Sequence, residues 1–597
     1  MSDTIDLEAI RAEKDQLSAV ESNSPLTKPD PAISVPAGTE LAVAKKRRTL
    51  GTAAAGPSKG AAGAGGAKEK RERLLLKTAK GTRDYGPMEM ACREHIERIV
   101  KDSFATFGGS CLDTPVFERK DVLTGKYGED QKLIFDLMDQ GGEQLALRYD
   151  HTVPLARYLA MTGATAPGAP MQKLWQVGKV YRRDNPVMSK GRMREFSQAD
   201  FDIIGPADPM IADAEIVGLT CTILSRLDVG AFTIKINHRR ILDGIFEVCG
   251  VSADKIRAIS SAVDKLDKSP WEEVRREMTE EKGLPLEVAE AIGAYVRQKG
   301  EPLALLETLS ADTKLAANAS TKAGLNDMRL LFQYLRAFNV LDKISFDMSL
   351  ARGLDYYTGI IYEAIVEASA PPGFKAEPPV EPAASAKAKP KKKKAAAPGE
   401  EGEEIDESQV GVGSIAAGGR YDGLVGMFAK AAAAEGKSVP DVPCVGISVG
   451  MDRIYALLWP KWVARGRRAK STVAFVMAFG ASGGEDPGLL EARLTLVREL
   501  REAGIRTDYL PKAKPKLDKQ FAAGEKDEVP FAIIVGETEL QNGMVNVKEQ
   551  RWELSASGGK EKVKTTGDER GVQVPRAELI EWLKSRELYK LWEAGEA

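Results

Sequence analysis

Leu350-Ala351-Arg352-Gly353-Leu354-Asp355-Tyr356-Tyr357-Thr358-Gly359 is the densest chemical signal in the chain. Ile344, Phe346, Met348 and Leu350 alternate ahead of it, as a strand with one buried face does. Ile360-Ile361-Tyr362-Glu363-Ala364-Ile365-Val366 follows and reads as a second strand. The joining segment combines two glycines, one arginine, one aspartate and two adjacent tyrosines. Glycine lets backbone approach a ligand closely, and arginine offers fixed, planar donors to carboxylate or phosphate. Tyrosine adds an apolar plate with a polar tip. That mixture suits a small ligand that is both anionic and ring-bearing. On composition alone, the alternative is a polar turn whose tyrosines are ordinary sheet residues.

Working outward, three further stretches share this character. From Trp175 to Arg183 the residues alternate as a strand, with Trp175, Val177 and Tyr181 on one face and Gln176, Gly178, Val180 and Arg182 on the other. A loop containing Asn185-Pro186 and Gly191 leads into a return strand. There Arg192, Arg194, Phe196, Gln198 and Asp202 share a face, opposite Met193, Phe201 and Ile203. An antiparallel hairpin of this kind would floor a polar pocket, although charged residues on the wet face of a sheet are common. Ala416-Ala417-Gly418-Gly419-Arg420-Tyr421-Asp422-Gly423 is glycine-rich again. Val442 to Met451 reads as a strand running into a helix at Asp452-Arg453, a helix start that favours phosphate.

Arg352 to Gly359 resembles the first signature of the histidyl-tRNA synthetase family, and Ala416 to Gly423 resembles the second. Arg182-Arg183-Asp184 to Phe196 is similar to motif 2 of the class II synthetases, and Val442 to Arg453 to motif 3. The helix after Pro87, the strand expected over Ser110 to Val116 and Pro115 resemble motif 1, which in the family forms the dimer interface. The resemblance implies an α+β class II catalytic core, an antiparallel sheet flanked by helices, with a helical insertion and a C-terminal α/β domain. It implies ligation of L-histidine to tRNA(His) through an adenylate, with ATP as substrate and Mg2+ accompanying it.

Bulk properties set bounds on this reading. A chain of 597 residues exceeds one domain. Its 85 Lys+Arg nearly balance 87 Asp+Glu, so the total neither demands nor excludes nucleic acid. No apolar run reaches membrane-spanning length. The acidic start, Met1 to Glu8, argues against a secretory signal or an Arg-rich transit peptide. The expected compartment is the cytoplasm, with a mitochondrial pool left open. Cys92, Cys111, Cys221, Cys249 and Cys444 form no CxxC pair and read as reduced thiols. Only His95, His151 and His238 exist, which argues against a His-rich metal site. No dedicated metal cage is expected. The chemistry must rest on arginine, carboxylate, amide and tyrosine.

The expected organisation follows the chain. Residues 1–73 are expected to be a disordered N-terminal extension, 74–250 the first part of the core, and 251–340 a helical insertion. Residues 341–368 return to the core, 369–408 are expected to be a disordered low-complexity insertion rich in Pro, Ala and charge, and 409–465 complete the core. Strand–helix alternation marks 471–597 as an α/β domain, which the resemblance identifies with anticodon binding. Leu579 to Leu583 is expected on its last helix.

The resemblance also assigns roles. Arg182 and Arg352 would be catalytic, gripping carboxylate and α-phosphate from two sides. Asp184, Arg192, Phe196 and Arg453 would join them in holding ATP, with adenine between Phe196 and Arg453. Asp202 and Tyr357, with Tyr356 beside them, would read the histidine ring, while Asp150, Thr152 and Gln198 hold the α-ammonium. His151 lies inside that Arg148-Tyr149-Asp150-His151-Thr152 run and is included in the histidine-binding set, with tolerance as its first reading. Gly418, Gly419, Arg420 and Tyr421 would support the signature loop. The expected partners are L-histidine, tRNA(His) and a second copy of the chain, with neither membrane nor DNA. Two rivals stand beside this: a catalytically idle relative that senses amino acids, and a class II ligase for another carboxylate.

Overall fold

The helix Pro87–Thr106 starts on a proline, whose missing N–H costs nothing at that position, and buries Cys92, Ile96, Val100 and Phe104. It lies in a computed structural model that describes residues 75–124, 132–138, 141–166, 168–267, 269–351, 356–367, 413–433, 439–466, 470–480, 486, 488–554, 560–563 and 571–593. The expectations for 1–73 and 369–408, and those for Arg352, Gly353, Leu354 and Asp355, fall outside these residues. Among the described residues, no helix is long and apolar enough to cross a membrane.

Strands β1 (Ser110–Cys111), β2 (Phe117–Arg119), β3 (Leu145–Leu147), β4 (Gln172–Tyr181), β5 (Glu195–Ile204) and β6 (Phe232–His238) come first. They are followed by β7 (Lys299–Gly300), β8 (Ile344–Asp347), β9 (Ile360–Val366), β10 (Ala416–Arg420) and β11 (Cys444–Gly450). Nine of them form one sheet in the order β1-β4-β5-β11-β10-β9-β6-β8-β7, and β2 pairs with β3 separately. All neighbours in the large sheet are antiparallel except β1 with β4 and β6 with β8. The edge strand expected over Ser110–Val116 is only two residues long. Thr114 turns its hydroxyl to the Gln176 amide instead, and Pro115 has no N–H to continue the ladder.

Alternation along β5 sorts its side chains. Ala199, Phe201 and Ile203 enter the main core beside residues from helices Pro87–Thr106, Ile211–Arg226, Ala319–Ala337 and Met451–Ala464. Gln198, Asp200 and Asp202 point the other way. Segment 251–340 divides between two cores. Ile259, Val263, Val274, Met278, Ile292 and Val296 pack with Leu242 and Phe246 in a small core of their own. Leu305, Leu309, Leu325, Met328, Leu331 and Leu335 join the main core, because β7 and helix Ala319–Ala337 rejoin the sheet layer.

In the C-terminal region, strands β12 (Ala474–Phe479), β13 (Thr507–Tyr509), β14 (Phe531–Gly536) and β15 (Met544–Glu549) are followed by β16 (Trp552–Leu554), β17 (Lys560–Lys562) and β18 (Val572–Pro575). The sheet runs β13-β12-β14-β15-β18, parallel through its first three members. Helix Leu579–Ser585 is present but not last, since Glu587–Glu593 follows and buries Leu588 and Tyr589.

Candidate active site

On the face of β4, β5, β10 and β11 turned from the main core lies a hollow of about 730 Å³. Arg182 leaves the end of β4 into it. Its Nη2 donates to Gln198 Oε1 at 3.0 Å and its Nε to the Tyr149 carbonyl at 3.2 Å. The guanidinium lies 4.2 Å from the Tyr149 ring centre and 5.1 Å from that of Phe196. Two rings and an amide therefore hold one cation in place.

Asp202, across the floor, accepts from the Tyr421 hydroxyl at 2.6 Å. Burial pushes its carboxyl up to about 7; the Tyr421 hydrogen bond opposes that rise and the charge of Asp150 adds to it. Tyr356 and Tyr357 stand with ring centres 4.7 Å apart, and Tyr356 meets Tyr421 edge-on at 6.3 Å. Asp150 accepts from the Val153 backbone N–H at 3.2 Å, at the start of helix Thr152–Met161, and lines the hollow with Thr152. The glycines have steric reasons. A Cβ on Gly446 would sit 1.8 Å from Asp202 Oδ1, and one on Gly418 would sit 2.0 Å from the Gly446 carbonyl oxygen. A Cβ on Gly419 would reach 2.9 Å from the Tyr357 ring.

At the outer end, Arg192 pairs with Asp184 at 2.5 Å and is half exposed. Arg453 follows Gly450 in the first turn of helix Met451–Ala464 and donates to the Ser414 carbonyl. Between them, Gly191 adopts φ +68°, and a Cβ there would lie 2.4 Å from the Asp452 carbonyl oxygen. The loop between β4 and β5 thus docks on the helix start. Asp452 reinforces the contact by accepting from the Ser197 N–H and the Tyr85 hydroxyl, both at 2.6 Å.

The hollow gathers Asp150, Thr152, Arg182, Asp184, Arg192, Phe196, Gln198, Asp202, Tyr356, Tyr357, Gly418, Gly419, Tyr421 and Arg453. Among the described residues, two sequence-derived candidates are not in its walls. Arg420 pairs with Asp213 and Asp422 instead, so it braces the strand. His151, included above in the histidine-binding set, is buried beside Arg148 and Gly178. Burial, and next the charge of Arg148, push its imidazole down to about 3, so it stays neutral. The sequence reading also missed residues. Asp254, Arg257, Asp264 and Lys282 of the insertion form a further wall, a contact that only chain packing creates. Asp200 and Ser448 were missed too, although period-two spacing from Gln198 was a usable signal for Asp200.

Residues 81–372 match the family described as histidyl-tRNA synthetase, and residues 474–586 match an anticodon binding domain. A histidine–tRNA ligase of Danio rerio is 46% identical over 87% of this chain and 91% of its own length. A mitochondrial histidine–tRNA ligase of Saccharomyces cerevisiae is 46% identical over 82% of this chain and 85% of its own. Among solved structures, a histidyl-tRNA synthetase from Nostoc superimposes with a TM-score of 0.62 at 24% identity, over 86% of this chain and 99% of that one. A Bacillus halodurans protein described as an ATP phosphoribosyltransferase regulatory subunit/histidyl-tRNA synthetase gives 0.56 at 18%, over 78% of this chain and 99% of that one. These two likenesses speak to fold alone.

Proposed function

This chain belongs to the histidyl-tRNA synthetase family, and from that premise we propose how its hollow joins histidine to a nucleotide. The reaction is ligation of histidine to tRNA in two steps. First a histidine carboxylate oxygen attacks the α-phosphorus of ATP, the bond to the bridging oxygen breaks, and pyrophosphate leaves with that electron pair. Then a ribose hydroxyl at the tRNA 3′ end attacks the adenylate carbonyl and AMP departs. Negative charge builds on the α-phosphate oxygens in the first step, and fixed cations meet that need better than a titrating base.

In this reading Arg182, already held by Tyr149, Phe196 and Gln198, grips the carboxylate and α-phosphate. Arg352 approaches from the other side, a role carried by family resemblance. Arg192 exchanges Asp184 for the outer phosphates, and Phe196 with Arg453 sandwiches adenine. Asp202, aligned by Tyr421, and Tyr357 hydrogen-bond the two imidazole nitrogens, while Asp150, Thr152 and Gln198 take the α-ammonium. Mg2+ enters with ATP as part of that substrate. The domain at 471–597 reads the anticodon region of the tRNA. We place the enzyme in the cytoplasm as a homodimer; half-exposed Phe117, beside Val116, is an apolar patch such a contact would cover.

The observation that carries this reading is the convergence of Arg182, Gln198, Asp202, Tyr357, Tyr421 and Arg453 on one hollow. The test is amino-acid-dependent ATP–pyrophosphate exchange without tRNA. Histidine alone among the amino acids should support exchange, and Asp202→Asn should lower kcat/KM for histidine by about 100-fold or more, the size of a lost buried charged contact. Exchange that is indifferent to Asp202 would sink the assignment.

A further inference from the structure

Asp200 is buried and lies on the same side of β5 as Gln198 and Asp202, but it does not line the hollow. Its contacts lead back to the catalytic arginine. Asp200 Oδ1 accepts from Ser448 Oγ at 2.8 Å and from Gln198 Nε2 at 3.3 Å. Gln198 Nε2 also donates to Ser448 Oγ at 2.5 Å. At the other end of the same amide, Gln198 Oε1 accepts from Arg182 Nη2 at 3.0 Å. The relay therefore runs from β5 to β11 and back to β5 before reaching the end of β4.

An amide has one donating end and one accepting end. A guanidinium only donates, and a carboxylate oxygen accepts. One of the two amide orientations satisfies both neighbours. The other sets NH2 against guanidinium and carbonyl against carboxyl, two buried conflicts. We propose that Asp200, acting through Ser448, is a positioning residue that fixes the Gln198 amide with its carbonyl oxygen presented to Arg182 and to the α-ammonium of histidine. This rests on the reading above, in which Gln198 and Arg182 meet the substrate. The groups facing Asp200 are Asp202 on its own strand, Asp150 ahead of helix Thr152–Met161, Ser448 on β11 and Gln176 across β4; Arg148 adds a more distant charge. Burial, and next the charge of Asp202, push the Asp200 carboxyl well above the usual range. Either protonation state leaves Oδ1 able to accept.

The relay predicts a selective defect. Asparagine at position 200 can turn its own NH2 toward Ser448 and Gln198, so the orientation is no longer enforced. For Asp200→Asn, KM for histidine in pyrophosphate exchange should rise about tenfold, the loss of one hydrogen bond to a charged group, with kcat within about twofold. Competitive inhibition separates positioning from general damage. Histidinol, which keeps the α-ammonium, should lose affinity by a similar factor, while 4-methylimidazole, which lacks both the ammonium and the carboxylate that Arg182 grips, should not. Ser448→Ala should give the same pattern more weakly, and it carries the test if Asp200→Asn does not fold. Equal weakening of both inhibitors, or none, overturns the relay. Gln198→Ala serves as the control: if it spares histidinol, the reading of Gln198 has failed and not only the part played by Asp200.

Discussion

At Asp202 two demands compete. In the proposed reading the ionised carboxyl accepts a stronger, charge-assisted hydrogen bond from the substrate imidazole than the protonated one does, yet burial holds its pKa at about 7. We expect kcat/KM for histidine to fall as pH drops through about 7, a limb that Asp202→Asn should flatten. Stability follows the opposite sign. The folded chain keeps this proton longer than the unfolded one, so the empty protein loses stability as pH rises from 3.8 towards about 7. Bound histidine offsets that loss, and the thermal shift it causes should be larger above pH ~7 than below it. His151 runs in reverse. Its imidazole is held at about 3 against an ordinary 6.5, so the unfolded chain takes the proton first and stability falls as pH drops through that window. His151→Leu should remove the buried imidazole, flatten the loss of stability as pH drops from 6.5 towards about 3 in denaturant titrations, and leave the pH profile of adenylation unchanged. Asp202 was legible in the sequence because it repeats the face of Phe196 and Gln198. The position of His151 was not, since a residue between Asp150 and Thr152 can turn into the hollow or under it.

Among elements, the β10–β11 pair shows why glycine is required. Gly418 faces Ile447 in register, and its missing side chain lets Tyr362 donate to the Gly446 carbonyl at 2.5 Å. Gly418→Ala must push strands apart at backbone level, and a destabilisation of about 3 kcal/mol or more is expected in denaturant unfolding, comparable to overpacking a core. Arg420 sits at the end of β10 and neutralises Asp213, which is fully buried on helix Ile211–Arg226. Arg420→Ala should cost about 3–5 kcal/mol, because it strands a buried charge. Asp213→Asn combined with Arg420→Met should recover most of that loss. Gly418, Gly419 and Arg420 stood out in the sequence as one motif. Their division of labour did not, because a strand's two faces look alike until its neighbours are known.

For the whole molecule, the hollow lies on the nine-stranded sheet, while residues 474–586, on a separate five-stranded sheet, match an anticodon binding domain. In the C-terminal region Arg493 is fully buried and donates to the carbonyls of Lys512 at 2.7 Å and Ala513 at 3.1 Å. Gln520, also buried, donates to the Pro515 carbonyl at 3.2 Å. Together they hold the exposed segment that carries Lys512, Lys514 and Lys516. Arg493→Leu should loosen that segment, raise KM for tRNA by about tenfold and leave histidine-dependent pyrophosphate exchange within about twofold, as expected for lost phosphate contacts. Comparable losses in both assays would show that the change unfolds the chain.

The family resemblance supplied the chemistry of the site, and local pattern by itself determined most of the strands, the helix starts and the order of motifs. Those depend on neighbours a few residues apart, through period-two and helical spacing and through turn chemistry. Tertiary structure alone decided that Arg420 braces while Arg182 faces the hollow, and that 302–337 packs with the main sheet. It also decided that His151 hides beneath the floor and that Asp200 reaches Arg182 through Ser448. Each of these turns on which surface another strand or helix covers, and residues such as Gln198 and Ser448, 250 positions apart, meet only when the whole sheet has formed.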